Sequence, residues 1–258
     1  MSTLNLSLLQ ADLAWHDPTR NRALFEQRID ALPPSDVIVL PEMFTTGFSM
    51  AAQELAEPMN GESMQWMQRT AAANDAAVCG SLIIRDGERC YNRFIWMPPE
   101  GTPQYYDKRH LFRMAGEDHH YAAGERRCVI DFRGWRILPQ VCYDLRFPVW
   151  MRSVGADYDL TLCVANWPTP RRNAWQTLLR ARAIENVSYV AGVNRVGADG
   201  NGISYGGDSA VVDYLGRTLA ELAEVPAAVT VPLMLEPLTR FRDKFPVHLD
   251  ADRFDLQG

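Results

Sequence analysis

The chain has 258 residues, 47% hydrophobic and 22% charged, the balance of a folded globular protein with a sizeable core, which excludes intrinsic disorder. Asp and Glu number 32 against 26 Lys and Arg, for a formal net charge of -6, and no basic tract marks a nucleic-acid backbone as partner. No run approaches the roughly 18 apolar residues that a membrane span needs, and the opening stretch MSTLNLSLLQADLAWHD places no basic region ahead of an apolar one, so a cytoplasmic location without membrane attachment is expected.

In chain order, residues 4–9 and 37–40 are short apolar runs that read as buried strands. Between them residues 21–32 form an amphipathic helical pattern stopped by Pro33-Pro34. A helix rich in Met, Trp and Ala follows over 63–74, and residues 77–97 read as strand, Asp86-Gly87 turn and strand, a hairpin signature. Residues 136–141, 160–164 and 188–196 are further buried strands, and 174–186, rich in good helix formers, is a helix between the last two. Residues 209–214 and 218–222 flank a turn at Gly216 as a second hairpin. Strands that alternate with helices, interrupted by hairpins, predict an α/β fold with mixed sheets whose apolar faces are covered by helices. No flexible linker, low-complexity tract or repeat marks a boundary, so one domain over residues 1–258 is expected.

The five cysteines, at 79, 90, 128, 142 and 163, are odd in number and contain no C-x-x-C pair. That argues against a disulfide framework and against a zinc knuckle. His119-His120 has no further Cys or His at ligand spacing, so no metal is expected there.

Three strand ends deliver residues with chemistry. The run DVIVL ends at Pro41, which has no donor for a ladder, and Glu42 follows at the strand's carboxyl edge. In open α/β sheets ligands bind at that edge, so Glu42 is either a general base or a capping, ion-paired carboxylate. Lys108 follows the aromatic strand that ends in YYD and on its residue type alone is a solvated surface lysine. RILPQV leads into Cys142, and the polar, aromatic YDLRF behind it suits a tight exit towards a helix starting near Pro148. Cys142 is then a small buried hydrophobe or a nucleophile. Together the three supply what thiol chemistry on a carbonyl needs: a thiol, a base to ionise it and a cation for the oxyanion.

LPEMFTTGF, YDKRHLF and VCYDLRFP, in that order, resemble the three signature segments of the nitrilase superfamily of carbon–nitrogen hydrolases, over nearly the whole chain from Leu4 to about Val231. MFTTGFSM and the tail RFRDKFPVHLD are similar to its omega-amidase branch, which hydrolyses the side-chain amide of 2-oxo acids. The resemblance implies a four-layer α-β-β-α sandwich, Cys142 as nucleophile, Glu42 as general base and Lys108 as stabiliser of the tetrahedral intermediate, with no metal or organic cofactor. It also implies a second acid between the lysine and cysteine segments, for which Glu117 is the better match and Asp118 the alternative. The backbone N–H of Tyr143 is expected to share the oxyanion with Lys108.

A 2-oxo acid substrate carries a carboxylate and needs a cation opposite the cysteine. Arg171 and Arg172, after Asn166-Trp167-Pro168, are the favoured choices; Arg146 is also near, though it is equally placed to pair with Asp144 or Glu42. Trp167 and Phe44 are expected as apolar walls. The expected partners are a small amide and a second copy of the chain, because the resemblance implies a homodimer, with residues 174–186 and the tail from about 232 as contacts. Other carbon–nitrogen hydrolases, acting on nitriles or N-carbamoyl amino acids, use the same thiol chemistry and remain the alternative enzyme reading. A non-catalytic, thiol-bearing binding protein is the alternative outside enzymes.

Overall fold

A computed structural model describes residues 3–252. The first part of the chain runs β1 (Thr3–Gln10), α1 (Pro18–Asp30), β2 (Val37–Val39), α2 (Ala52–Leu55), α3 (Glu62–Asn74), β3 (Ala77–Asp86), β4 (Arg89–Met97) and β5 (Gln104–Asp107). It continues as β6 (Ile130–Phe132), β7 (Trp135–Val141), α4 (Pro148–Met151), β8 (Leu160–Ala165), α5 (Arg172–Asn186), β9 (Tyr189–Asn194), β10 (Val196–Ala198), β11 (Ser204–Gly206), β12 (Ala210–Val212), β13 (Thr218–Glu221), β14 (Ala227–Met234) and α6 (Leu235–Lys244).

The strands make two six-stranded mixed sheets, in the orders β14-β1-β2-β3-β4-β5 and β13-β12-β9-β8-β7-β6. Each has three parallel strands at its centre, β1-β2-β3 and β7-β8-β9, with antiparallel strands outside them. Parallel neighbours need crossovers long enough for a helix, and α1, α3, α4 and α5 supply them. β10 and β11 form a separate hairpin.

Strand periodicity sorts the side chains between layers. Leu4, Leu6 and Leu8 of β1 and Val37 and Val39 of β2 point to the inter-sheet core, where they join Ile137, Val141, Leu160, Leu162, Val164, Ala191 and Val193 of the other sheet. Leu9 and Ile38, one residue out of phase, face Phe25, Ile29, Met64 and Met67 on α1 and α3. On the far side, Cys163, Ala165 and Val190 pack against Trp175, Leu179 and Ala183 of α5. The stack is helices, sheet, sheet, helices, the four-layer arrangement expected.

Some expected elements change at their ends. The run 188–196 breaks at Arg195 into β9 and β10, and the second hairpin is shorter than expected, with β12 and β13 shifting register between Val211 and Val212. β14 was missed by the sequence reading. Its Pro232 is tolerated because β14 is an edge strand. Of the tail, α6 packs on its own chain: Leu238 is buried, and Arg242 donates to Asp159, Tyr158 O and Val187 O. Residues 253–258 lie outside the described residues. Among the described residues no helix is long and apolar enough to cross a membrane.

Candidate active site

The site forms where one edge of the first sheet meets the matching edge of the second. β2 delivers Glu42 through a tight turn in which Thr46 N and Gly47 N both donate to Met43 O, with Met43 at φ 43° and Gly47 at φ 76°. β5 is antiparallel to β4, itself antiparallel to β3, so β5 runs the same way as β2 and presents Lys108 at the same edge. Gly116, at φ 72°, opens a short turn over Glu117–His119 that turns Glu117 inward. From the second sheet, β7 ends at Cys142 and β8 at Asn166.

Glu42, Lys108 and Glu117 are all buried, with Lys108 only 1% exposed. Lys108 Nζ donates to Glu42 Oε1 at 3.1 Å and to Glu117 Oε1 and Oε2 at 3.0 and 2.8 Å. Glu117 Oε2 also accepts from Phe112 N at 2.6 Å. Glu42 Oε2 accepts from Asn166 N at 2.8 Å, and Asn166 Nδ2 donates to Glu42 O at 2.6 Å, a tie between the sheets. Asn92 on β4 donates to Glu42 Oε1 at 2.7 Å and to Glu117 Oε1 at 3.2 Å. Burial works against the charge on Lys108, but Glu117 and Glu42 outweigh it and hold the ammonium above its ordinary range. Burial pushes the Glu117 carboxyl up, Lys108 pulls it back, and the Glu42 charge adds to the rise.

Cys142 is half-buried and sits at φ 47°, where a residue with a side chain costs on the order of 1–3 kcal/mol. It opens a 3-10 turn over Cys142–Arg146. Asp144 pins that turn: it accepts from Val141 N, Tyr106 Oη and His110 N at 3.1, 2.8 and 2.9 Å, so the lysine-bearing segment and the cysteine turn share one buried carboxylate. Burial pushes the Cys142 thiol well up, Glu42 pushes it further, and Lys108 opposes both. Burial and the Glu42 charge thus favour the thiol over the thiolate.

Cys142 and Lys108 line one pocket of about 60 Å³ with Phe48, Phe112, Trp167, Arg146 and Arg171 among its walls, and Tyr143 and Asn166 complete the side nearest the thiol. Arg146 lies over the Trp167 ring at 4.9 Å and Arg171 over the Phe112 ring at 5.1 Å. Among the described residues neither guanidinium donates to a carboxylate. Asn166 Oδ1 is buried without a hydrogen-bond partner.

The structure thus brings together Cys142, Glu42, Lys108, Glu117, Tyr143, Trp167, Arg146 and Arg171. It does not bring in Arg172 or Phe44. Arg172 starts α5 and turns away to Asp208, at 2.7 Å, and Glu224. Phe44 is fully buried behind the turn against Phe25 and Trp66, and Phe48 takes the pocket position expected of it. Asp118, the alternative second acid, reaches only Arg113 at 3.8 Å and is not in the cluster. Asn92 and Phe48 were missed. The signal for Asn92 was a strand-averse amide in the middle of an aromatic, apolar strand.

A buried carboxylate, ammonium and second carboxylate stand beside a thiol at a strand end, and the chain matches the family model for carbon-nitrogen hydrolases over residues 6–242. The chain belongs to that family. It is 52% identical over 257 residues to the omega-amidase YafV of Yersinia enterocolitica, covering 99% of this chain and 100% of the relative. It is 33% identical to the 2-oxoglutaramate amidase of Bacillus subtilis strain 168, covering 97% and 98%. The crystal structure of XC1258 from Xanthomonas campestris, a CN-hydrolase superfamily protein with an arsenic adduct in its active site, superposes with a TM-score of 0.97 at 48% identity, covering both chains completely.

Proposed function

We propose that the protein is an omega-amidase that hydrolyses the terminal amide of a small 2-oxo acid, 2-oxoglutaramate or the corresponding amide from methionine-type transamination, through a thioester on Cys142. The observation that carries the reading is the placement of Cys142 and Lys108, the latter bonded to Glu42 and Glu117, on one pocket with two guanidinium groups that have no acid partner among the described residues.

Glu42 takes the Sγ proton, the sulfur bonds the amide carbon, and the carbonyl oxygen becomes an oxyanion held by Lys108 Nζ–H and the Tyr143 N–H. Collapse breaks the carbon–nitrogen bond as Glu42 returns its proton to the departing nitrogen, which leaves as ammonia. Water then gives a proton to Glu42 and bonds the thioester carbon; the sulfur leaves, recovers that proton and the acid departs. Glu117 holds Lys108 in place throughout. Arg146 and Arg171 take the substrate carboxylate, since a desolvated guanidinium gains most from a bidentate anion. Asn166 Oδ1 is an acceptor available to the substrate amide N–H.

Because the cluster draws on both sheets, the reading takes the chain as one catalytic unit. A homodimer belongs to the same reading; the exposed Ile184 on α5 and Phe245 and Leu249 beyond α6 give the expected contact segments apolar surface. Sedimentation equilibrium tests it, and a fully active monomer would count against it.

The experiment for the activity is ammonia release from 2-oxoglutaramate, glutamine, a simple nitrile and an N-carbamoyl amino acid. Preference for 2-oxoglutaramate is expected. Turnover of only the nitrile or the N-carbamoyl compound would sink the omega-amidase reading while leaving the thiol mechanism standing.

A further inference from the structure

Asn92 lies in the middle of β4, is fully buried, and shares with Lys108 the distinction of touching both carboxylates of the cluster. The two donors divide their bonds in opposite senses. Lys108 Nζ lies 3.0 and 2.8 Å from the two oxygens of Glu117 and makes its longer contact, 3.1 Å, with Glu42. Asn92 gives Glu42 its short bond, 2.7 Å, and Glu117 the long one, 3.2 Å.

The amide is held the right way round. Ser81 Oγ accepts from Met43 N at 2.8 Å, so its own proton is directed to Asn92 Oδ1, also at 2.8 Å. A turned amide would set its oxygen against two carboxylates and leave the Ser81 hydroxyl without its acceptor. The relay starts at the backbone of the residue after Glu42, so the amide is oriented by the same turn that positions the base.

We infer that Asn92 is a positioning residue: its two N–H groups let two buried carboxylates share one ammonium, keeping Lys108 on Glu117 and Glu42 ready to exchange a proton with Cys142. Without it Glu42 Oε1 keeps only the lysine as donor, and Lys108 is drawn from Glu117 towards Glu42. That shift disturbs both the base and the oxyanion cation. Hydrogen bonds to a carboxylate favour its charged form, so losing the two from Asn92 should also move the acid limb of activity to higher pH.

The inference rests on the thiol amidase reading, and the test separates the two. Asn92→Leu keeps the branching at Cγ, with a bulkier side chain, and removes both donors. Expected are a kcat lower by about 10- to 100-fold, a KM within about threefold of the parent, and an acid limb of kcat/KM raised by about one pH unit. Iodoacetamide labelling of Cys142 should slow over the same range. An acid limb superimposable on the parent's, whatever the kcat, overturns the inference, because a purely packing role would lower activity without moving it. Ser81→Ala, which frees the amide to turn, covers the case in which Asn92→Leu does not fold: a smaller shift in the same direction supports the inference, and an unmoved limb overturns it. Full turnover by Cys142→Ala would instead remove the thiol mechanism on which the inference rests.

Discussion

On the first-sheet side of the site, Glu42, Lys108 and Glu117 are sealed from solvent, and each carboxylate oxygen accepts at least one hydrogen bond. On the second-sheet side, Arg146 and Arg171 stack on aromatic rings with no carboxylate partner among the described residues, and Cys142 is held at a strained φ beside open space. In the proposed mechanism the acid-base groups keep charge and geometry through four proton transfers, and the protein completes their hydrogen bonds itself. The two guanidinium groups, on the proposed reading, are completed by the substrate carboxylate. The proposed machinery is thus satisfied within the protein, and the proposed binding groups are left for a ligand to satisfy.

Changes on either side should break that contrast in different ways. Cys142→Ala should lower kcat by at least about 10⁴-fold while thermal melting moves by only a few degrees, since one sulfur is lost at a half-buried position. Ammonia release and a melting curve check both. Glu42→Gln should lower kcat by about 10²- to 10⁴-fold, the range of a general base, and slow alkylation of Cys142. Alkylation at the parent rate would move the base elsewhere.

Phe44→Ala should cost about 3–5 kcal/mol of stability, as a buried aromatic does, with KM unchanged because Phe48 faces the pocket; denaturant unfolding measures the first and steady-state kinetics the second. Arg171→Met should lower kcat/KM for a 2-oxo acid amide by about 10- to 100-fold, as expected for lost bonds to a charged group, and spare a small neutral amide. The matching change at Arg172 should move the same ratio by no more than about twofold, because its partners are Asp208 and Glu224. Equal effects at the two arginines would erase the distinction drawn between them.

The sequence showed the strands and what stands at their ends, because an apolar run closed by Pro41-Glu42 or by Cys142-Tyr143 carries its own punctuation. It did not show which neighbour faces the pocket. Arg171 and Arg172 are adjacent, but successive side chains on a helix diverge by about 100°, and α5 begins at the second of them. The choice between Phe44 and Phe48 depends on the turn at Met43, whose left-handed φ no motif announces. Glu117 over Asp118 was legible through resemblance; the geometry adds its bonds to Lys108. Asn92 was invisible because its partners lie 50 and 25 residues away.

The pairing of β14 with β1 carries a consequence for how the chain is made. All eight residues of β1, Thr3 through Gln10, find antiparallel partners between Met234 and Ala227. During synthesis every group of the catalytic cluster emerges long before that strand exists, and until it does β1 presents a bare edge able to recruit another chain. Contacts so distant along the sequence close slowly. A nascent chain halted before Ala227 should therefore depend on chaperones to stay out of aggregates.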